Sequence, residues 1–253
     1  MCMTVSPTFS ELLALVDERS AALREAVEAA PDLAARVPGC PEWTLSDLVA
    51  HIGEVQRFWA LVVRAGAADG PPSADERGDL SPAGDLLAWS AESTRLLLAA
   101  FAETGPDAPC WTWWPDSGAP QTAGAVARHQ VEEAAVHAYD AQETIGKAEP
   151  IPAAVAVDGV AEFLQVTYGA EGPWPHRPAR VLFVAVEGPS WILDLTPVGA
   201  RLDPPESGEP VATVHGCASD ILLALFGRIP LDTLTIEGDA GVVDQLRAWG
   251  DTA

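Results

Sequence analysis

Val131-Glu132-Glu133-Ala134-Ala135-Val136-His137-Ala138-Tyr139-Asp140 is a run of small and apolar residues interrupted by acids and one imidazole. Residues four apart on a helix share a face, so Glu133 and His137 would project a carboxylate and an imidazole into one volume. Burying a carboxylate on an apolar helix face requires a partner, which gives this pair more meaning than an exposed Glu–His spacing would have. A second segment, Leu45-Ser46-Asp47-Leu48-Val49-Ala50-His51-Ile52-Gly53, sets a lone histidine on another helical apolar pattern. Alone, such a histidine reads as a surface or hydrogen-bonded residue. If the two helices touch, His51, Glu133 and His137 form a three-donor site of the His/Glu/His type. A set of three leaves coordination positions open for water or substrate, as in catalytic rather than structural zinc sites. His129, four residues before Glu133, offers either a further donor or the mark of a polar face. Asp140, three residues after His137, is placed either to orient a ligating histidine or to sit solvated near the helix end.

Working outward, the spacing predicts a helix over residues 8–30, with an apolar stripe of Phe9, Leu12, Leu13, Leu15, Val16, Leu23, Ala26 and Val27, ended by Pro31. Val37-Pro38-Gly39-Cys40-Pro41-Glu42-Trp43-Thr44 is rich in turn residues, and Thr44 can cap the helix that carries His51 through about residue 65. Asp47 stands where a capping box prefers Glu or Gln. A Gly/Pro/Asp-rich loop over 66–81 precedes a third helix near 83–103, and a fourth over about 121–146 holds Glu133 and His137 and ends at Gly146. Four helices joined this way imply a bundle, in which metal sites are built from inward side chains on facing helices. After Pro150 the pattern changes. A helix over 152–168 is followed by strands Arg180–Glu187 and Trp191–Thr196, joined as a hairpin, then Val211–His215 and Leu234–Glu237. Short helices over Ser219–Phe226 and Ala240–Trp249 complete a small α+β half. The expected organisation is therefore two-domain α+β, residues 1–149 and 150–253, with the boundary in Lys147-Ala148-Glu149-Pro150-Ile151-Pro152.

Composition narrows the partners. A formal net charge of -23 over 253 residues leaves no basic stretch to neutralise phosphates, which argues against nucleic acid or an anionic membrane surface. The acidic excess itself reads as solubility. No apolar run reaches membrane-spanning length, and the N-terminus lacks a basic region followed by an apolar stretch. A cytoplasmic monomer is the expectation. Cys2, Cys40, Cys110 and Cys217 are far apart and never form a Cys-x-x-Cys pair, so they read as reduced, structurally incidental thiols.

Other motif classes are thin: no Gly-x-x-x-x-Gly-Lys, Gly-x-Gly-x-x-Gly or Gly-x-Ser-x-Gly occurs. Trp111, Trp113 and Trp114 either line a pocket or pack on a core. Arg228, in Leu225-Phe226-Gly227-Arg228-Ile229-Pro230, is one of few cations in an acidic chain. It reads either as a bidentate carboxylate binder or as a surface ion pair.

Taken together, Val37-Pro-Gly-Cys-Pro-Glu-Trp-Thr-Leu-Ser-Asp-Leu-Val-Ala-His51-Ile-Gly53, Glu133-Ala-Ala-Val-His137-Ala-Tyr-Asp140 and His215-Gly-Cys-Ala-Ser-Asp-Ile-Leu-Leu-Ala-Leu-Phe-Gly-Arg228, followed by Glu237-Gly-Asp239, resemble the mycothiol-dependent maleylpyruvate isomerase family of actinobacteria. The resemblance spans nearly the whole chain and is weakest between residues 66 and 120. It implies an N-terminal DinB-like four-helix bundle holding a divalent metal, usually zinc, followed by an α+β domain similar to sterol-carrier folds. It carries over His51, Glu133 and His137 as metal ligands and Arg228 as the catalytic arginine holding a substrate carboxylate. Many members have histidine directly before the ligating glutamate. Here Glu132 takes that place and a histidine stands at 129, which leaves open whether either joins the site.

The implied chemistry is activation of a low-molecular-weight thiol, mycothiol or a similar one, as a thiolate for attack on a small electrophile. In an isomerase the adduct lets a cis double bond rotate before the thiol leaves; in an S-transferase the thiol stays. Two other readings stand beside this one. One is a non-catalytic metal- or small-ligand-binding protein on the same scaffold, and the other is a hydrolase using metal-bound water.

Overall fold

A computed structural model describes residues 6–204 and 208–250. It divides into two compact units, Pro7–Thr112 with Pro120–Ile151, and Trp113–Ala119 with the chain from Pro152 onward. The mixed α+β class expected from the sequence is the class observed, and the division is not a single cut.

The first unit is helical. Its elements are α1 (Phe9–Glu28), a two-stranded ribbon of β1 (Arg36–Val37) and β2 (Cys40–Thr44), α2 (Leu45–Ala65), the single turn α3 (Ala74–Arg77), α4 (Leu86–Thr104) and α5 (Ala123–Thr144). α1 packs on α4 and α5, and α2 packs on the same two, which closes a four-helix ring. Leu23, Val27, Leu45, Leu48, Val49 and Ile52 meet Ala138 and Ala141 in its apolar core. One buried polar layer crosses it: Gln56 donates to Ser20 Oγ at 2.8 Å and accepts from Thr94 Oγ1 at 2.9 Å. Each polar atom there is paired, as burial requires.

Thr44 is the hinge between ribbon and bundle. Its hydroxyl accepts from the Asp47 N–H at 3.2 Å, while Asp47 Oδ2 accepts from the Thr44 N–H at 2.8 Å. Aspartate, though shorter than the usual glutamate, closes the capping box and fixes the start of α2. The ribbon itself, Val37 opposite Cys40 and Arg36 opposite Thr44, occupies residues that read from sequence as turn.

The second unit contains α6 (Ala153–Ala170), β3 (Ala179–Ala185), β4 (Ser190–Thr196), β5 (Gly199–Asp203), β6 (Ala212–Gly216), α7 (Ala218–Leu225), β7 (Thr235–Gly238) and α8 (Ala240–Gly250). The sheet order is β5-β4-β3-β6-β7, with β3 and β6 parallel and the remaining neighbours antiparallel. Along β3 burial alternates, Ala179, Val181, Phe183 and Ala185 facing the core. The predicted hairpin forms, with Val184 opposite Ser190. β5 was not expected. It follows β4 after Pro197-Val198, pairing Thr196 with Gly199. Among the described residues no helix is long and apolar enough to cross a membrane.

Candidate metal centre

α5 carries two of the three expected donors and α2 the third, and the packing of α2 on α5 brings them together. Ligand atoms of His51, Glu133 and His137 lie within 4.8 Å of one another. Glu133 Oε2 stands 3.9 Å from His51 Nε2 and 3.6 Å from His137 Nε2. The two imidazole rings meet edge to face, centroids 5.2 Å apart.

Two properties of Glu133 make the set suited to a cation. Its Oε2 is buried and has no hydrogen-bond partner among the described residues, although two ring nitrogens face it. Burial pushes the carboxyl pKa up, but His51, then His137 and His129, more than reverse this and hold it down at about 2. The group is therefore a carboxylate at any physiological pH. Donors about 2.0–2.2 Å from a tetrahedral ion stand roughly 3.4 Å from each other, so small side-chain rotations would close this trio on one. The residues fit the implied divalent metal.

The two histidines are held from behind. His137 Nδ1 lies 2.8 Å from Asp140 Oδ2, and Asp140 is fully buried. With Nδ1–H donating to that carboxylate, the Nε2 lone pair is left pointing toward Glu133. Cys40 Sγ also reaches Asp140 Oδ2, at 4.0 Å. His51 packs against the Trp43 ring, centroids 4.6 Å apart, and the same indole lies 6.0 Å from His137. The sequence offers Asp140 either as an orienting partner of His137 or as a solvated acid, and gives Trp43 and Cys40 no part in the site. The available signal was the short spacing from Trp43 to the α2 cap.

Other expected site residues are placed as follows. His129 is buried, with Nε2 3.8 Å from Glu133 Oε1 and Nδ1 3.9 Å from Glu132 Oε2. Trp111 stacks on Trp59 in the helical unit, centroids 6.1 Å apart, whereas Trp113 and Trp114 belong to the other unit, Trp114 with no exposure. Arg228 follows α7. Gly227, at φ 69°, reverses the chain, its N–H bonding Ala224 O at 3.0 Å and the Arg228 N–H bonding Leu223 O at 2.8 Å. This is a Schellman end, and a side chain at Gly227 would strain it. The Arg228 guanidinium donates to Phe226 O at 2.8 Å and lies 5.9 Å from the Phe226 ring. Among the described residues Cys40, Cys110 and Cys217 form no disulfide, and Cys2 lies outside those residues.

No curated protein matches the chain. Among solved structures, a histidine-to-alanine mutant of the mycothiol-dependent maleylpyruvate isomerase is similar at TM-score 0.65 and 16% identity, over 94% of this chain and 96% of that one. The mycothiol-dependent maleylpyruvate isomerase itself is similar at TM-score 0.61 and 16% identity, over the same shares. At that identity the likeness speaks for the fold. Sequence models give the family: the mycothiol maleylpyruvate isomerase N-terminal domain matches residues 13–142, and the corresponding C-terminal domain matches 154–245. With the first spanning more than half of the 253 residues and the second most of the remainder, the chain belongs to the mycothiol maleylpyruvate isomerase family.

Proposed function

We propose that this protein is a divalent-metal-dependent enzyme that activates a low-molecular-weight thiol of the mycothiol type for attack on a small, carboxylate-bearing electrophile, by isomerisation or S-transfer. His51, Glu133 and His137 are the proposed ligands and zinc the proposed ion, since imidazole and carboxylate donors suit it. The observation that supports this best is the convergence of two imidazole nitrogens on a buried carboxylate oxygen with no hydrogen-bond partner among the described residues. When bound, the ion would supply the Lewis acidity that deprotonates a thiol, whose free pKa of about 8.5 leaves it mostly protonated at neutral pH.

The chain's own residues have separable tasks in this reading. Asp140 accepts from His137 Nδ1 and keeps Nε2 free of its proton. Trp43 covers the His51 and His137 rings on one side and limits water there. Arg228 is assigned the substrate carboxylate, a role that its rigid position after Gly227 and its family resemblance support. Addition of the thiolate to a carbon of a conjugated double bond makes that bond single. The displaced electron pair moves onto the conjugated acceptor group as an enolate; after rotation its collapse expels the thiolate and completes an isomerisation, whereas its protonation at carbon with the sulfur retained completes a transfer. Cysteines that form no disulfide among the described residues and a chemistry that needs reduced thiol agree with a cytoplasmic setting.

The test is metal content of the purified wild type beside Glu133→Ala, with binding of mycothiol followed on the same samples. Near-stoichiometric metal that is lost in the variant, and thiol bound by the metallated protein alone, is the expected result. Wild-type protein that stays metal-free after reconstitution would overturn the enzyme reading and leave a binding protein on this scaffold.

A further inference from the structure

The two oxygens of Glu133 face different partners. Oε2 is the atom on which His51 and His137 converge, at 3.9 Å and 3.6 Å. Oε1 is the oxygen that faces His129 Nε2, at 3.8 Å. His129 lies one helical turn before Glu133 on α5, so the same i, i+4 relation that joins Glu133 to His137 also joins His129 to Glu133. Yet His129 is not part of the converging trio, whose ligand atoms come from His51, Glu133 and His137.

The His129 ring is held in place. It is buried, and the Trp59 indole of α2 meets it edge to face with centroids 6.2 Å apart. Trp59 is itself buried and stacked on Trp111. An imidazole packed this way presents its Nε2 to the carboxylate with little freedom to swing aside. The distance is that of an ion pair, and a small rotation of either side chain brings it to a hydrogen bond.

We infer that His129 is a positioning residue for Glu133: by engaging Oε1 it fixes the carboxylate so that Oε2 alone is offered to a metal ion. A carboxylate anchored through one oxygen binds through the other in a defined direction. An unanchored one rotates or offers both oxygens, and loses affinity and geometry together. This rests on the reading of His51, Glu133 and His137 as metal ligands, and it gives the histidine at 129 a task different from the further donor or polar-face mark read from the sequence.

The experiment compares wild type with His129→Phe, His129→Leu and His129→Gln. Zn2+ affinity is read by chelator competition, the d–d absorption of the Co2+-loaded protein reports the coordination geometry, and circular dichroism checks the fold. Phenylalanine keeps the ring against Trp59 and removes the donor, while glutamine restores an N–H near the position of Nε2. The expected result is a loss of about 10–100-fold in affinity for the Phe and Leu variants, the usual effect of removing a ligand's outer partner. A changed Co2+ spectrum should accompany it, with glutamine returning both toward wild type. Folded Phe and Leu variants with wild-type affinity and spectrum would overturn the inference while leaving the metal site standing. A Gln variant as weak as the Phe variant would also overturn it, since restoring an N–H there would then make no difference. Wild-type protein that takes up neither ion would overturn this inference and the metal reading together.

Discussion

Gly53 lies two residues beyond His51 in the middle of α2, where glycine is the least favoured residue after proline. In an open helix, Gly53→Ala would stabilise by about 1 kcal/mol. Here a Cβ on Gly53 would stand no farther than 3.0 Å from Cζ3, Cη2 and Cε3 of Trp89, where carbon atoms normally sit about 3.5–4.0 Å apart. The ring cannot simply step away. Trp89 is buried on α4 and has the Arg57 guanidinium 5.0 Å from its ring centroid, and Arg57 Nε is tied to Ser93 Oγ at 2.7 Å. Overpacking of this kind costs about 1–3 kcal/mol, occasionally more, and a rigid indole puts the cost at the upper end or above. Set against the propensity gain, the net is a loss of roughly 2 kcal/mol. Differential scanning calorimetry should then show Tm lower by about 4–8 °C for a chain of this size. Adding Trp89→Leu to Gly53→Ala should recover part of the loss, which a double-mutant cycle reads as coupling between the sites. A Gly53→Ala protein with raised Tm would mean that helix propensity wins, and would refute the close α2–α4 approach.

Asp140→Asn keeps the shape at the buried partner of His137 but can present an N–H to Nδ1, which favours the tautomer protonated on Nε2. Metal affinity, read by chelator competition, should fall about 10–100-fold with the fold intact; unchanged affinity would remove Asp140 from the site. Cys110 is buried, and burial pushes its thiol up to about 11 from 9.0. Its folded pKa being the raised one, its stabilising contribution is fully present below about 9 and is lost as pH rises through about 11. Cys110→Ala should therefore flatten part of the alkaline decline in Tm between these values, and a decline of the same slope in both proteins would count against it.

The four long helices were legible because their apolar period runs uninterrupted between clear stops at Pro31, Gly66, Gly105 and Gly146. The candidate donors were legible for the same reason: all three lie on those helices, where spacing alone fixes which residues share a face. The ribbon was not. Its strands are two and five residues long and include Pro38-Gly39 and Pro41 at or beside the pairing, so local chemistry reads as a turn. Packing against α2 and α5 makes it a ribbon, and with it Trp43 becomes a wall of the site. β5 was hidden differently. Gly199-Ala-Arg-Leu-Asp203 buries its first two residues and exposes the third, so it lacks strict alternation and is recognisable only through its pairing with β4. The tryptophan run left pocket and core open because the division of one loop between two compact units is a property of tertiary structure with no local signature.

α5 shows how one helix can serve as core and site at once. His129, Glu133, His137 and Asp140 follow one another at steps of four, four and three residues, and so do Gln130, Ala134, Ala138 and Ala141 one position later. A shift of one residue turns the helix by about 100°, so the two rows form adjacent stripes along it. The second row, with Ala138 and Ala141 against Leu23, Val27 and Ile52, supplies close apolar packing with side chains too small to displace the first. The first row buries two imidazoles and Asp140 and half-buries Glu133, a composition that a helix selected for stability alone would replace with leucine. Asp140 anchors His137, His129 faces Glu133 Oε1, and the remaining oxygen, between two imidazoles, has no hydrogen bond among the described residues. A purely structural cluster would have used that oxygen to pair internally, as the Gln56, Ser20 and Thr94 layer in the same bundle does. The contrast between the two polar layers, one satisfied and one held open, is the strongest physical reason to regard the second as a binding centre.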